Sequence, residues 1–144
     1  LAAIGWRLAE RLARPGVQAA ALWRLAALPV LVVWLLALLV LWQAPADQRG
    51  ALVLGATWRV CMANIATHAL PVFVAALWAL RTLAPTQPRA AGAAAGLLAG
   101  GAGAAVYAFH CPEVQAPFLA VWYVAGMALP VLAGAALGPR LLRW

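Results

Sequence analysis

"LAALPVLVVWLLALLVLW", residues 25–42, carries no charged side chain anywhere along its length. At 1.5 Å of rise per residue it covers about 27 Å as an α-helix, close to the ~30 Å hydrocarbon thickness of a bilayer. A strand this long and this apolar would leave its backbone polar groups without partners in lipid, so the run reads as a transmembrane helix. Three further runs have the same character: 60–80 ("VCMANIATHALPVFVAALWAL"), 91–110, which is rich in Ala and Gly, and 118–138. The expected fold class is therefore all-α, a polytopic transmembrane helix bundle with four full spans. Residues 1–144 form a single membrane domain in this reading.

Composition points the same way. Hydrophobic residues make up 67% of the chain and charged residues 9%, too little polar surface to cover a water-facing exterior. The net charge of +7 comes from ten basic residues, all arginine, against three acids. In a soluble protein that balance would suggest nucleic acid. Here the arginines stand at the ends of apolar runs, where they fix orientation in the membrane, and no direct nucleic-acid binding is expected.

Arg7, Arg11, Arg14 and Arg24 precede the first full span, Arg81 and Arg89 lie between the second and third, and Arg140 and Arg143 follow the last. Only Arg49 and Arg59 fall on the opposite side. By the positive-inside rule both ends face the cytoplasm and the 43–58 and 111–117 connections face outward, with Trp42, Trp58 and Trp144 as interfacial anchors. The opening "LAAIGW" and the arginine stripe at i, i+4, i+7 read as the tail of an apolar helix, so the chain is expected to lack an N-terminal piece.

The connection "RTLAPTQPRA" (81–90) joins the second and third spans, and its prolines favour an antiparallel hairpin. Counting outward from it, Cys61 and Cys111 reach the outer boundary at matching depth on adjacent helices. Such a pair is able to form a disulfide or share a metal where the helix faces match. His68 lies seven residues after Cys61, on the same helix face and about 10 Å deeper. His110 and Glu113 flank Cys111 in "HCPE". These five residues are candidates for one outer pocket, with Cys61 and Cys111 as the reactive pair and His68, His110 and Glu113 as auxiliary or metal-binding groups. Arg59 stands close enough in sequence to favour a Cys61 thiolate.

Simpler readings accompany each of these. Free cysteine packs as a small hydrophobe, and a histidine in a span bonds a neighbouring helix. Asn64 and Thr67 read as interhelical hydrogen-bond partners, and Pro71 and Pro130 as kinks. Gly92, Gly96 and Gly100, with Gly103 on the adjoining stripe, give the third span a smooth face for close packing, within one bundle or between two copies.

The segments "CMANIATHALP", "LRTLAPTQPRAAGAAAGLLAGGAGAAVYAFHCPE", "FLAVWY" and "GAALGPRLLRW" together resemble the NrsF-like family of bacterial membrane anti-sigma factors. The resemblance is close over residues 56–144 and loose before them, with "HCPE" and "LLRW" its most specific elements. It implies a six-span inner-membrane protein with cytoplasmic ends, here lacking its first span, most of its second and its N-terminal tail. It also implies an extracytoplasmic-function sigma factor as partner, held inactive, and two cysteines, matching Cys61 and Cys111, that answer oxidant or heavy-metal stress. No resident cofactor is implied, only transient heavy-metal binding, and no catalytic residue. Two other classes fit less well. A quinone-coupled thiol oxidoreductase would want a C-x-x-C pair, which is absent. A small transporter would want a carboxylate within a span, whereas Glu10, Asp47 and Glu113 lie at ends or in connections.

The arginine count generates a direct test of topology. In a background with Cys61 and Cys111 replaced, a cysteine at Gln115 is expected to react with a membrane-impermeant thiol reagent in intact cells and one at Gln87 to stay unlabelled. The reverse pattern would overturn the orientation.

Overall fold

A computed structural model of the chain describes residues 1–14 and 16–143; Trp144, read above as an interfacial anchor, lies outside the described residues. The described secondary structure is entirely helical. Helix α1 spans Ala2–Leu12, α2 Ala20–Gln43, α3 Ala46–Leu54, α4 Trp58–Arg81 and α5 Pro88–Ala108. A short α6 (Ala116–Phe118) runs through a π-helical turn (Leu119–Tyr123) into α7 (Val124–Leu141). Four helical stretches are long and apolar enough to cross a membrane: Ala20–Gln43, Ala46–Arg81, Pro88–Ala108 and Ala116–Leu141.

The 43–58 segment, expected as a plain connection, contains α3. Pro45 ends the preceding helix and sits as the N-cap of the next, and Asp47 in the first turn complements the helix dipole. Gly55 then breaks the chain at φ +57°, a left-handed conformation that L side chains resist, before α4 begins. At the other end of α4, residues 82–87 reverse the chain, and Pro88 occupies the first turn of α5, where its missing N–H costs nothing.

The spans are arranged opposite to a soluble protein. The least apolar of them, α5, is the most enclosed, with 61% of its most apolar stretch buried against 11% for α2. In lipid an exposed leucine loses nothing, so α2 keeps Leu31, Leu35, Leu38 and Leu39 on the outside. Small residues instead go where helices must touch. Ala91, Ala94, Ala95 and Ala99 of α5 are fully buried, and α5 packs most extensively on α7, then on α4 and α1.

Glycines set each of these contacts. A Cβ on Gly92 would run into the Gly134 carbonyl, one on Gly96 into the Pro130 carbonyl, and one on Gly100 would lie 2.8 Å from the Met127 carbonyl oxygen, all on α7. Gly103 turns to α4, with the Ile65 carbonyl oxygen 2.6 Å from a Cβ there. Gly101 abuts Ala2, and Gly5 of α1 abuts the α5 backbone at Leu98. Contacts of this type are van der Waals packing of backbone on backbone, the main attraction left between helices in lipid.

Asn64 bonds across to the Tyr107 side chain of α5 as the sequence suggested, whereas Thr67 and His68 depart from that reading. Thr67 Oγ1 donates to the Ala63 carbonyl at 2.8 Å, and His68 Nδ1 lies 2.6 Å from the Asn64 carbonyl oxygen, so both bond their own helix instead of a neighbour. Pro71 further along removes a backbone donor from the same stretch.

Replacing Gly96 with Ala is expected to destabilise the bundle by about 2 kcal/mol, the usual scale for overpacking where the obstacle is backbone. Gly50, mid-helix in α3 with nothing within 4 Å of a Cβ, is the control: Gly50→Ala is expected not to lower the thermal midpoint in detergent, and to raise it slightly through helix propensity.

Candidate functional site

The outer end of α5 unwinds as its sequence dictates. His110 N–H and Cys111 N–H both donate to the Tyr107 carbonyl, at 2.9 and 3.0 Å, and Pro112, with no N–H to give, stops any further turn. Cys111 therefore sits on the last turn with its thiol directed back at the bundle. It packs against a cluster formed by Cys61, Ile65, Ala104, Tyr107, Phe118 and Tyr123. Both cysteines are free thiols.

Their surroundings differ sharply. Cys61 is 0% exposed, whereas Cys111 is partly exposed. Cys111 also lines a cavity of about 350 Å³, bounded by Pro29 and Val33 of α2 and by Leu119, Tyr123 and Met127. The Thr57 hydroxyl lies 3.8 Å from the Cys111 sulfur, and the hydroxyls of Tyr107 and Tyr123 are within its hydrogen-bonding reach. Cys111 is therefore the more accessible of the two thiols.

Glu113 has a different task from the one its type suggested. Its Oε1 accepts the Ala56 N–H at 2.7 Å, tying the "HCPE" connection to the turn between α3 and α4. A Cβ on Gly55 would come within 2.8 Å of that carboxylate oxygen and 2.7 Å of the Phe118 ring, so the tether depends on glycine there. The bond fixes the two connections to each other.

The histidines do not join the cysteines. His110 is exposed, with Nδ1 3.4 Å from the Val106 carbonyl oxygen on its own helix. His68 is exposed, bonded within α4, with its ring 6.3 Å from Tyr107. The expectation of one pocket gathering all five residues is corrected: the packed face of α4 steps through Cys61, Ile65, Ala69 and Phe73 every four residues and drifts away from the i+7 position, which leaves His68 exposed. Among the described residues no three of His, Cys, Asp and Glu come together in a set able to hold a metal ion. Arg59 is likewise redirected, its guanidinium carbon 5.2 Å from the centroid of the Trp58 ring in a cation–π contact.

What the sequence reading passed over is the π-helical turn "LAVWY". It leaves carbonyls out of the regular helical ladder, and Trp34 Nε1 of α2 donates to one of them, Ala120 O, at 3.0 Å. Trp122 on the same turn donates to Val53 O at 2.9 Å and packs on the half-buried Trp58, ring centroids 5.4 Å apart. Tyr123 faces Tyr107 and Phe118 at 5.8 and 6.4 Å. The extra residue of this turn has no hydrophobic period to betray it; the density of aromatics after "HCPE" was its one signal.

Comparison with known proteins agrees with this picture. The family model described as "NrsF: Negative regulator of sigma F" matches residues 1–144. The chain is similar to the probable anti-sigma-F factor NrsF of Azospira oryzae (strain ATCC BAA-33 / DSM 13638 / PS), 46% identical over 134 residues, covering 93% of this chain and 63% of that protein. It is also similar to the anti-sigma-F factor NrsF of Caulobacter vibrioides (strain NA1000 / CB15N), 41% identical over 144 residues, covering 97% of this chain and 66% of that protein. The chain thus spans less than two thirds of the length of either relative. No solved structure matches it.

The unequal exposure predicts unequal labelling. N-ethylmaleimide is expected to modify Cys111 in the folded protein and to reach Cys61 only after denaturation, read by mass spectrometry of the two peptides; equal rates would remove the distinction between first and second thiol.

Proposed function

The chain belongs to the NrsF family of negative regulators of sigma F, and on that premise we propose that it holds a sigma factor inactive at the cytoplasmic face of a bacterial inner membrane until the outer cysteines react. The observation that carries this reading is the placement of Cys61 and Cys111 in one packed cluster within a chain similar to two anti-sigma-F factors. The partner is of the extracytoplasmic-function class. The helices span the membrane with both ends inside, the side on which eight of the ten arginines lie. The role is regulatory, with no reaction of its own to catalyse.

The chemistry can be written in full. A peroxide arriving from the outer side takes the Cys111 thiol to a sulfenic acid, releasing water or an alcohol. The Cys61 thiol then attacks that sulfur, a second water leaves, and a disulfide joins α4 to the end of α5. A thiophilic divalent cation achieves the same bridging by displacing the two thiol protons. Partial exposure of Cys111 and burial of Cys61 suit this order of events.

Bridging pulls on a tightly packed seam. Ile65, one turn below Cys61, sits against Gly103 of α5 and Gly126 of α7. A displacement there cannot be absorbed locally, because backbone-on-backbone contacts tolerate discrete rearrangements better than gradual bending. The short 82–87 connection at the far end of α4 and α5 carries the shift to the cytoplasmic side, where the sigma factor is released.

Cys61→Ser and Cys111→Ser are each expected to retain the sigma factor at rest, read by co-purification from detergent extracts, and to fail to release it on peroxide or cadmium challenge. His110→Ala is expected to respond like the parent or with a modest change in sensitivity. Release by both serine variants would end the sensing model; absence of any sigma factor from the parent extract would end the anti-sigma reading itself.

A further inference from the structure

The arginines of α1 take no part in the cysteine chemistry, yet their helix is flanked by two hollows. On one side Arg7, Arg11 and Arg14 line a cleft of about 580 Å³, closed by Val17 and Leu22, with Glu10 on its rim. On the other side a nearly wholly apolar groove of about 400 Å³ runs between α1 and α4, from Trp6 and Val72 past Ala76 to Leu83, and Glu10 stands on its rim too. We propose that α1 carries a binding site for one anionic glycerophospholipid of the arginine-side leaflet, with the phosphodiester held by Arg7, Arg11 and Arg14 and an acyl chain laid in the α1–α4 groove.

Charge decides the headgroup. Arg7 pairs only loosely with Glu10, at 3.4 Å on an exposed face, and no ion-pair partner is found for Arg11 or Arg14 among the described residues. Three guanidiniums against one carboxylate leave the cleft with a positive excess that a zwitterionic headgroup does not neutralise and an anionic one does. The planar forks of arginine suit phosphate oxygens two at a time.

Depth decides that the ligand is a lipid and not the acidic surface of a soluble protein. Gly5 abuts α5 at Leu98, ten residues or about 15 Å along α5 from Pro88, and Arg7 lies one half-turn nearer that end. A guanidinium roughly 12 Å inside the helical ends sits within reach of acyl chains, where it needs a counter-charge brought to it. From Arg7 the helix descends about 8 Å to its end at Leu12, past Arg11, and Arg14 follows just beyond it, tracing a path for a headgroup. The groove matches in length: Val72 to Leu83 covers about 16 Å, one leaflet's share of the ~30 Å hydrocarbon layer. A water-soluble partner reaches the outermost arginine but not the groove.

The inference rests on the reading of the helices as membrane spans and on nothing about the sigma factor. The chain is reconstituted in phosphatidylcholine nanodiscs with or without phosphatidylglycerol, and the lipid retained is counted by native mass spectrometry after mild detergent exchange. About one phosphatidylglycerol per chain is expected to be retained, together with a raised thermal midpoint. Each arginine changed to glutamine is expected to weaken retention roughly fivefold, the change anticipated for one basic residue at an anionic surface. Arg-to-Lys changes at the three positions should retain most of the binding. Ala76→Trp, which fills the groove without altering charge, should lower retention while helix content by circular dichroism stays the same. Equal retention of phosphatidylcholine, stabilisation by inorganic phosphate alone, or parent-like retention by both the triple glutamine variant and Ala76→Trp would each overturn the site. Loss of sigma-factor co-purification in the triple variant with lipid preference intact would make the stripe a protein-docking face instead. Release of the chain from native membranes by alkaline carbonate would strike the spanning reading itself, whereas carbonate-resistant protein without lipid preference strikes the lipid site alone.

Discussion

The approach of α5 to α7, backbone against backbone, is the constraint from which the rest of this protein follows. Gly92 and Gly134 face each other so closely that neither tolerates a Cβ, and Gly96 meets the Pro130 carbonyl in the same way. Between lipid-immersed helices there is no gain from hiding apolar surface, so cohesion comes from close contact, and small residues permit it. Once α5 is locked to α7, its other faces are free to receive α4 at Gly103 and α1 at Gly101. The large aliphatic residues are left to α2, which meets lipid.

That seam also underlies the end of the bundle that holds the cysteines. Cys61 and Cys111 lie on the two helices that Gly103 brings together, above a region with little room to yield. The same end is bound by directional bonds: Glu113 to Ala56, Trp34 to Ala120, and Trp122 to Val53. Two of these three end on or near the π-helical turn. Directional bonds at these connections and packed glycines below them make one mechanical unit.

Much of this was legible in the sequence because the membrane imposes simple rules. The run 25–42 announces α2 by length alone, and the glycines at 92, 96 and 100 lie on one face of a helix by their spacing. Prolines at 85, 88 and 112 mark where helices stop or start. Other features were hidden for identifiable reasons. The helix in 46–54 carries Asp47, Gln48 and Arg49 and is too polar to register as a span. The partner of Glu113 is a backbone N–H, which no residue type reveals. His68 follows Cys61 by seven residues and shares its side of the helix, yet the buried stripe of α4 runs at four-residue steps through Ile65, Ala69 and Phe73 and leaves that side, so the imidazole is exposed and bonds its own helix. Thr67 and His68 satisfied themselves locally, an option that a count of polar residues cannot distinguish from interhelical bonding.

The burial of α5 bears on how the protein is made. A helix composed of alanine and glycine is well fitted to lie among neighbours and poorly fitted to enter lipid by itself, since its mean hydropathy of 1.4 is the lowest of the four candidate spans. The connection from Thr82 to Gln87 is too short to let α4 settle while α5 waits at a distance. Biogenesis therefore favours partitioning of α4 and α5 as a helical hairpin, with the more apolar α4 carrying its partner across. The placement of "HCPE" at the far end of α5 then depends on a helix poorly fitted to cross by itself.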